Sequence, residues 1–130
     1  MTDLDKTDLD KTQANLVPIV THIPVKFAGN LCHLVISSYA DKPEATALAL
    51  VDLRSEEPIA KCTMLIKGLD LFQDEVAIKE YGENKGMTDA LIAACVIHAV
   101  PITTLIMEPV GIFRIYQLTT KVKEYYIKCH

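Results

Sequence analysis

The sequence lacks the short motifs that mark the common enzyme classes. It contains no phosphate-binding Gly-rich loop, no Gly-x-Ser-x-Gly turn and no His-Glu-x-x-His zinc site. Its four cysteines, Cys32, Cys62, Cys95 and Cys129, include no Cys-x-x-Cys pair. Because unpaired cysteine is usually buried, we expect free thiols and a reducing, cytoplasmic location. No catalytic residue, metal ligand or cofactor is therefore predicted.

The chain also lacks a surplus of positive charge. Its 17 acidic and 13 basic residues give a formal net charge of −4. A binder of the nucleic-acid backbone needs a lysine and arginine surface, so nucleic acid is not an expected partner. The polar, acidic N-terminus does not resemble a secretory leader. The uncharged stretch 90–107 is interrupted by Pro101, so it predicts a short buried helix and a strand, with no membrane insertion.

The 130 residues suit one domain with one core. Residues 2–11 are a tandem repeat, TDLDKTDLDK, which cannot bury enough apolar surface to offset the entropy of ordering. We therefore predict a disordered acidic tail over residues 1–13 and a single domain over residues 14–130.

Alternating apolar and β-branched residues predict a series of strands. The first two runs flank a hairpin signal at Gly29-Asn30, and the first becomes regular near Pro24. Four-residue apolar spacing predicts a helix from an N-cap at Thr88 to about Ala99. The strand-like runs are residues 16–27, 31–39, 45–53, 58–66, 75–79, 102–107 and 112–118. The predicted fold is α+β, an antiparallel meander of four to six strands packed on one face by a helix near 88–99; residues 119–130 fit helix or strand, and we favour helix.

The order of these pieces resembles a family of small uncharacterised proteins encoded on bacterial plasmids, phages and integrative elements. The resemblance covers about residues 25–120. It rests on the "GN" hairpin, the strand containing Tyr39, the runs "LALVDL" and "EEPIAKCTMLI", the segment "EVAIKEYGENKGM", "LIAACVI", and "IYQLT" after Gly111. It implies a compact α+β fold and an accessory role against host systems, without a defined activity. The repeat tail and the basic C-terminal end have no counterpart in the resemblance.

One segment between the last central strand and the helix is unusually polar. Residues 78–87 read IKEYGENKGM and carry more charge, and one more tyrosine, than a simple connector needs. An exposed tyrosine among mixed charges suits a protein partner. The predicted binding residues are Lys79, Glu80, Tyr81, Glu83, Asn84 and Lys85.

Other interpretations of the chain stay open at this point. The polar segment could be only a connector whose glycines supply backbone freedom. A small metal-dependent or thiol enzyme could use Cys95, His98 or the glutamates, and a basic-aromatic stretch with Tyr125 and Tyr126 could bind single-stranded nucleic acid. The preferred interpretation is a protein-interaction module that binds a host or phage protein. The high apolar content also favours a homodimer.

Overall fold

The computed structural model describes residues 18–107 and 111–129. The strands form two antiparallel four-stranded sheets: the first four strands pair in sequence order, and in the second sheet the eighth strand lies between the sixth and the seventh, with the fifth beside the sixth. The elements are β1 (Ile19–Phe27), β2 (Asn30–Tyr39), β3 (Lys42–Asp52), β4 (Pro58–Lys61), β5 (Thr63–Met64), β6 (Glu75–Ile78), a 3-10 turn (Gly82–Asn84), α1 (Met87–Ala93), β7 (Thr103–Met107), β8 (Gly111–Gln117) and α2 (Thr120–Cys129). The predicted α+β class with an antiparallel meander is confirmed. The predicted tail, residues 1–13, lies outside the described residues.

The first sheet begins with a tight hairpin. Phe27 pairs with Asn30, so the loop consists of Ala28 and Gly29, whose φ angles of 52° and 82° are both positive. Positive φ at both loop positions matches the right-handed twist of the two strands, and glycine adopts it without strain. The hairpin predicted from the sequence is therefore confirmed, with Asn30 as the first residue of β2.

The first strand lies at an edge of its sheet, and its pairing is regular only from Pro24 onward. β1 starts at Ile19, and its register with β2 shifts between Val20 and Pro24. The irregularity lies before the proline, which cannot donate to the ladder, and residue-by-residue pairing then runs from Pro24 to Phe27, so the prediction that the strand becomes regular near Pro24 is confirmed. Side chains then alternate, with Val25 and Phe27 buried and their neighbours exposed.

The chain passes from one sheet into the other at a single residue. The Cys62 N–H donates to the Leu48 carbonyl in the first sheet, and the Cys62 carbonyl accepts from the Lys79 N–H beside β6, both at 2.8 Å. Next along the chain, the Thr63 hydroxyl accepts the Leu48 N–H at 3.1 Å and lies 2.7 Å from the Tyr39 hydroxyl. Hydrogen bonding is thus continuous from β3 through this crossing to β6.

The second sheet is built around β8, which pairs with β6 on one side and with β7 on the other. Side chains two apart on a strand share a face, so Ile112, Arg114 and Tyr116 point the same way. Tyr116 is buried with its cross-strand partner Val76, whereas Ile112 is exposed. The same face of the second sheet is therefore buried near β6 and exposed near β7.

The central helix is shorter than its apolar spacing predicts. α1 ends at Ala93 instead of near Ala99, and its N-cap is Gly86 instead of Thr88. Cys95 takes a left-handed conformation, its N–H donates to the Ile92 carbonyl, and the Val96 N–H donates to the Leu91 carbonyl, which together form a Schellman stop. The chain after it joins β8, because Ile97 bridges Leu118. Pairing with the sheet outweighs the helical pattern, and Cys95 is exposed rather than on the buried face.

The C-terminal segment forms a helix, as favoured from the sequence. Val122 of α2 is fully buried, and the Tyr125 hydroxyl accepts the His22 N–H at 3.2 Å. α2 therefore lies against the outer edge of β1. One hydrophobic cluster contains side chains from both sheets and both helices, including Leu34, Leu50, Val76, Met87, Leu91 and Val122.

Candidate functional site

The polar segment 78–87 forms the connection between β6 and α1. Ile78 is buried at the end of the strand, and a single 3-10 turn over Gly82–Asn84 reverses the chain before the helix. Gly82 and Gly86 have φ angles of 63° and 92°. Both lie in the left-handed region that favours glycine, so these two residues allow the chain to turn twice within five positions.

Two of the six predicted binding residues hold this loop in place. Asn84 is 6% exposed, and its side-chain amide donates to the Lys61 carbonyl at the end of β4. The Glu80 carboxylate accepts the Gly86 N–H at 2.7 Å and the Thr88 N–H at 2.8 Å. Both donors belong to the start of α1, where backbone N–H groups need acceptors. Glu80 and Asn84 therefore have structural roles.

The electrostatics of Glu80 follow from these contacts. Partial burial raises the pKa of its carboxyl group, but the hydrogen bonds from Thr88 and Gly86 and the charge of Lys85 outweigh that effect and hold the pKa below its usual value. The carboxylate is thus committed to its ionised, hydrogen-bonded form, and it is poorly suited to donate a proton in catalysis.

The other four predicted residues face solvent to different degrees. Tyr81 is 57% exposed, and the Lys79 ammonium lies 5.7 Å from the centroid of its ring. This distance is within the range of a cation–π interaction, which restrains the ring without burying it. Glu83 and Lys85 are exposed on the same loop. The predicted segment is thus divided into an anchored half and a presented half.

An open cleft of about 190 Å³ separates the loop from β8. Tyr81, Glu80 and Thr88 line one wall, and Ile112 and Arg114 line the other. Arg114 is exposed and forms no salt bridge with any residue of 18–107 or 111–129. The cleft therefore brings together an aromatic ring, an aliphatic side chain and a guanidinium.

Sequence reasoning missed the β8 wall of this cleft. Ile112 and Arg114 are 31 and 33 positions from Tyr81 in the chain. The sequence indicates that β8 pairs with its neighbour β7, but it gives no sign that β8 also pairs with β6. One signal was available in the run IFRIYQL. On a strand, Arg114 points to the same face as Ile112 and Tyr116, so a charged side chain interrupts a face that is otherwise apolar.

The cysteines and the acidic and histidine side chains of the described residues are placed as follows. They contain no group of three or more His, Cys, Asp or Glu side chains placed to hold a metal ion. Cys32 and Cys62 are buried, and burial raises the pKa of each thiol, with the negative charge of Asp52 adding to the effect at Cys32. Cys95 is exposed, and within the described chain no hydrogen bond joins it to a histidine.

Three residues of the basic-aromatic stretch near the C-terminus, Lys121, Lys123 and Tyr125, make contacts within the fold. Tyr125 packs against the core and holds the edge of β1 through its hydroxyl. The Lys123 ammonium lies 3.7 Å from the Asp74 carboxylate, and Lys121 donates to the Ala94 carbonyl at 3.4 Å. A stacking platform for bases needs exposed rings beside free cations, and Tyr125 does not provide one.

Comparisons of this chain with protein-family models, with curated proteins and with solved structures returned no match. Its resemblance to mobile-element proteins therefore stays an expectation drawn from the order of its motifs. Among the helices that the structure describes, none is long and apolar enough to span a bilayer.

Proposed function

We propose that this protein is a protein-interaction module whose binding surface is the cleft between Tyr81 and β8. The observation that carries the proposal is the exposed Tyr81 ring, facing Ile112 and Arg114 across an open cleft. Tyrosine and arginine are enriched among the residues that dominate the energy of protein interfaces.

The rigidity of the loop supports this proposal. Glu80 and Asn84 fix the backbone on both sides of Tyr81, and Lys79 restrains its ring. A side chain that is already positioned loses less conformational entropy when a partner binds. A connector without a binding role would not need its one tyrosine ring to be held in place.

The charges around the cleft indicate the chemistry of the partner. Arg114 lines the cleft, and Lys79 and Lys85 lie on the same loop as Tyr81. The Glu80 carboxylate is occupied by backbone donors, which leaves Glu83 as the opposing charge on the loop. The partner segment should therefore present an apolar side chain next to a carboxylate, so that the first packs on Tyr81 and Ile112 and the second pairs with Arg114.

The biological setting belongs to the same proposal. The resemblance to mobile-element proteins implies a host or phage protein as the partner, which binding at the cleft would mask or inhibit, in the cytoplasm of a bacterium. The free thiols of Cys32 and Cys62 are compatible with that compartment. We also propose that the protein self-associates, because apolar surface on and beside the second sheet is exposed at Ile102, Ile106 and Ile112.

The proposal is tested by affinity capture from a bacterial lysate followed by titration of the captured protein. Native protein is compared with Tyr81→Ala and Arg114→Ala, and Phe72→Ala is the matched control. Phe72 is also an exposed aromatic on a loop, at 75%, but it does not line the cleft. We expect Tyr81→Ala to weaken binding by roughly thirty-fold, the effect of losing a central interface aromatic.

Phe72→Ala should bind as the native protein does. Equal capture by native protein and by both cleft variants, each shown to be folded by circular dichroism, would contradict the proposed surface. A partner lost only with Phe72→Ala would move the binding site to the loop between β5 and β6.

A further inference from the structure

The strand β7 is an edge strand without the usual protection. It ends the second sheet, pairs with β8 in an uninterrupted register, and contains neither proline nor a charged residue. Edge strands in monomeric proteins commonly carry charges, prolines or bulges that prevent pairing with another chain. β7 has none of these features.

The outer side of β7 offers free backbone groups. Every second residue of an edge strand points its N–H and C=O away from its partner strand. Across residues 18–107 and 111–129, no hydrogen bond to β7 comes from any element other than β8. These groups are the recognition element that a further strand would use.

Apolar side chains accompany the free edge. Ile106 is 70% exposed, and its cross-strand partner Ile112 is 57% exposed. Thr104 lies on the same face, next to Arg114. This face carries the buried Tyr116 farther along β8, so it is the core-facing side of the sheet, extending beyond the buried cluster.

Given the self-association proposed above, we infer that two copies of this chain pair antiparallel through β7, around a two-fold axis at Leu105. Thr104 of one copy then lies opposite Ile106 of the other, and the two sheets join into one of eight strands. The axis is perpendicular to the sheet, so both copies present the same face on the same side. On that side Ile106 of each copy lies diagonal to Ile106 of the other, with its own Ile112 behind it on β8.

Three considerations favour a second copy over a foreign strand. An isologous pair consumes both free edges, so the assembly closes instead of growing. The segment Thr103–Met107 is uncharged, so its antiparallel copy brings no like charges opposite each other. The two Arg114 side chains would be three strand spacings apart, about 14 Å, which is beyond the Debye length at physiological salt.

The proposed contact through β7 is small. Five paired residues and the isoleucines beside them cover less than the roughly 800 Å² per partner of a standard stable interface. The dimer should therefore be reversible and concentration-dependent, dissociating on dilution.

The test is sedimentation velocity of the full chain over a concentration series, with two double variants that share one substitution. In T104E/I106K, the proposed register places the carboxylate introduced at position 104 opposite the partner's introduced ammonium. In T104E/I106E it places two carboxylates opposite each other, and in both variants the carboxylate at position 104 faces Arg114 of its own chain. We expect reversible dimers for the native chain, and association roughly tenfold or more tighter for T104E/I106K than for T104E/I106E.

A native chain that stays monomeric throughout the series overturns the inference, as does a native dimer that T104E/I106E leaves intact. Equal weakening of both double variants overturns the register. Thermal unfolding of each variant as a monomer checks that it is folded. Tyr81→Ala should dimerise like the native chain, so failure of the cleft as a partner site and failure of the β7 contact are separate results.

Discussion

β1 and β7, the edge strands at the far ends of the two sheets from the crossing at Cys62, are of opposite character. At the edge of the first sheet, β1 contains Pro24 and a register irregularity, and the Tyr125 hydroxyl of α2 accepts one of its outward N–H groups. At the edge of the second sheet, β7 has no such device among the described residues, and the neighbouring face exposes Ile106 and Ile112. The Tyr81 cleft also adjoins the second sheet.

This difference indicates that the two sheets have different roles. The first sheet buries its inner face and has its outer edge held by α2, so it serves chiefly as the support. The second sheet combines a free edge, uncovered apolar side chains and a rigid loop, which are features of contact surfaces.

The strongest link is the crossing between the sheets. Thr63→Val removes the hydroxyl that accepts the Leu48 N–H and contacts the Tyr39 hydroxyl, leaving both without that partner. We expect the free energy of unfolding to fall by about 3 kcal/mol, measured by urea denaturation. Tyr39→Phe removes one partner only and should cost about 1 kcal/mol. An equal loss of unfolding free energy in the two variants would mean that the Thr63 hydroxyl does not stabilise both of its partners.

The next link joins the Tyr81 loop to the first sheet. Asn84→Ala removes the amide that donates to the Lys61 carbonyl in a buried setting, and it should lower the free energy of unfolding by about 2 kcal/mol. Lys85→Ala, at the exposed neighbouring position, should change it by less than about 0.5 kcal/mol. A neutral Asn84→Ala would show that the loop is held by its backbone alone.

The carboxylate of Glu80 should link the loop to α1 in a pH-dependent way. Its pKa is lowered in the folded protein, so its stabilisation is present above the ordinary value of 4.5 and is lost as the pH falls through the folded value. Glu80→Gln should cost about 1 kcal/mol or less at pH 7, the scale of a helix cap, and should make this contribution insensitive to pH. Thermal unfolding from pH 7 to pH 3 measures both effects.

Glu83→Gln, in the same loop, is the control for that series, because Glu83 accepts no hydrogen bond within the described chain. Its melting temperature should follow the native curve at every pH. If Glu80→Gln also follows the native curve, the carboxylate does not anchor the helix.

The smallest effect on stability is expected at the exposed ring. Tyr81→Ala removes a side chain that is 57% exposed and lies beside an open cleft, so the free energy of unfolding should change by less than about 0.5 kcal/mol. Chemical denaturation measures the change. A loss above about 1 kcal/mol would identify Tyr81 as a packing residue and remove the main argument for the cleft as a binding site.

Local patterns in the sequence were sufficient for most of the strands and for the hairpin at Gly29. Alternation and turn chemistry are short-range properties, so they could be read from neighbouring residues. The helix was overextended past Ala93, because the bridge between Ile97 and Leu118 depends on a strand about twenty residues away. The division into two sheets at Cys62 likewise depends on long-range pairing.

The candidate site was predicted in part, since its loop is contiguous in the sequence. Composition marked all six polar residues alike, and only the fold separates Glu80 and Asn84, which anchor, from Tyr81, which is presented. Arg114 was missed because its position across the cleft depends on the order of strands in the second sheet.

Hydrogen–deuterium exchange at a low and a high protein concentration tests the contrast between the two sheets most directly. We predict that the outward-facing backbone amides within Thr103–Met107, which do not bond to β8, exchange quickly in dilute solution and become protected as the concentration rises, while amides of β1 do not change. Protection that is independent of concentration in β7, or that appears instead on the first sheet around Val20 and Leu31, whose side chains are also exposed, would contradict the account.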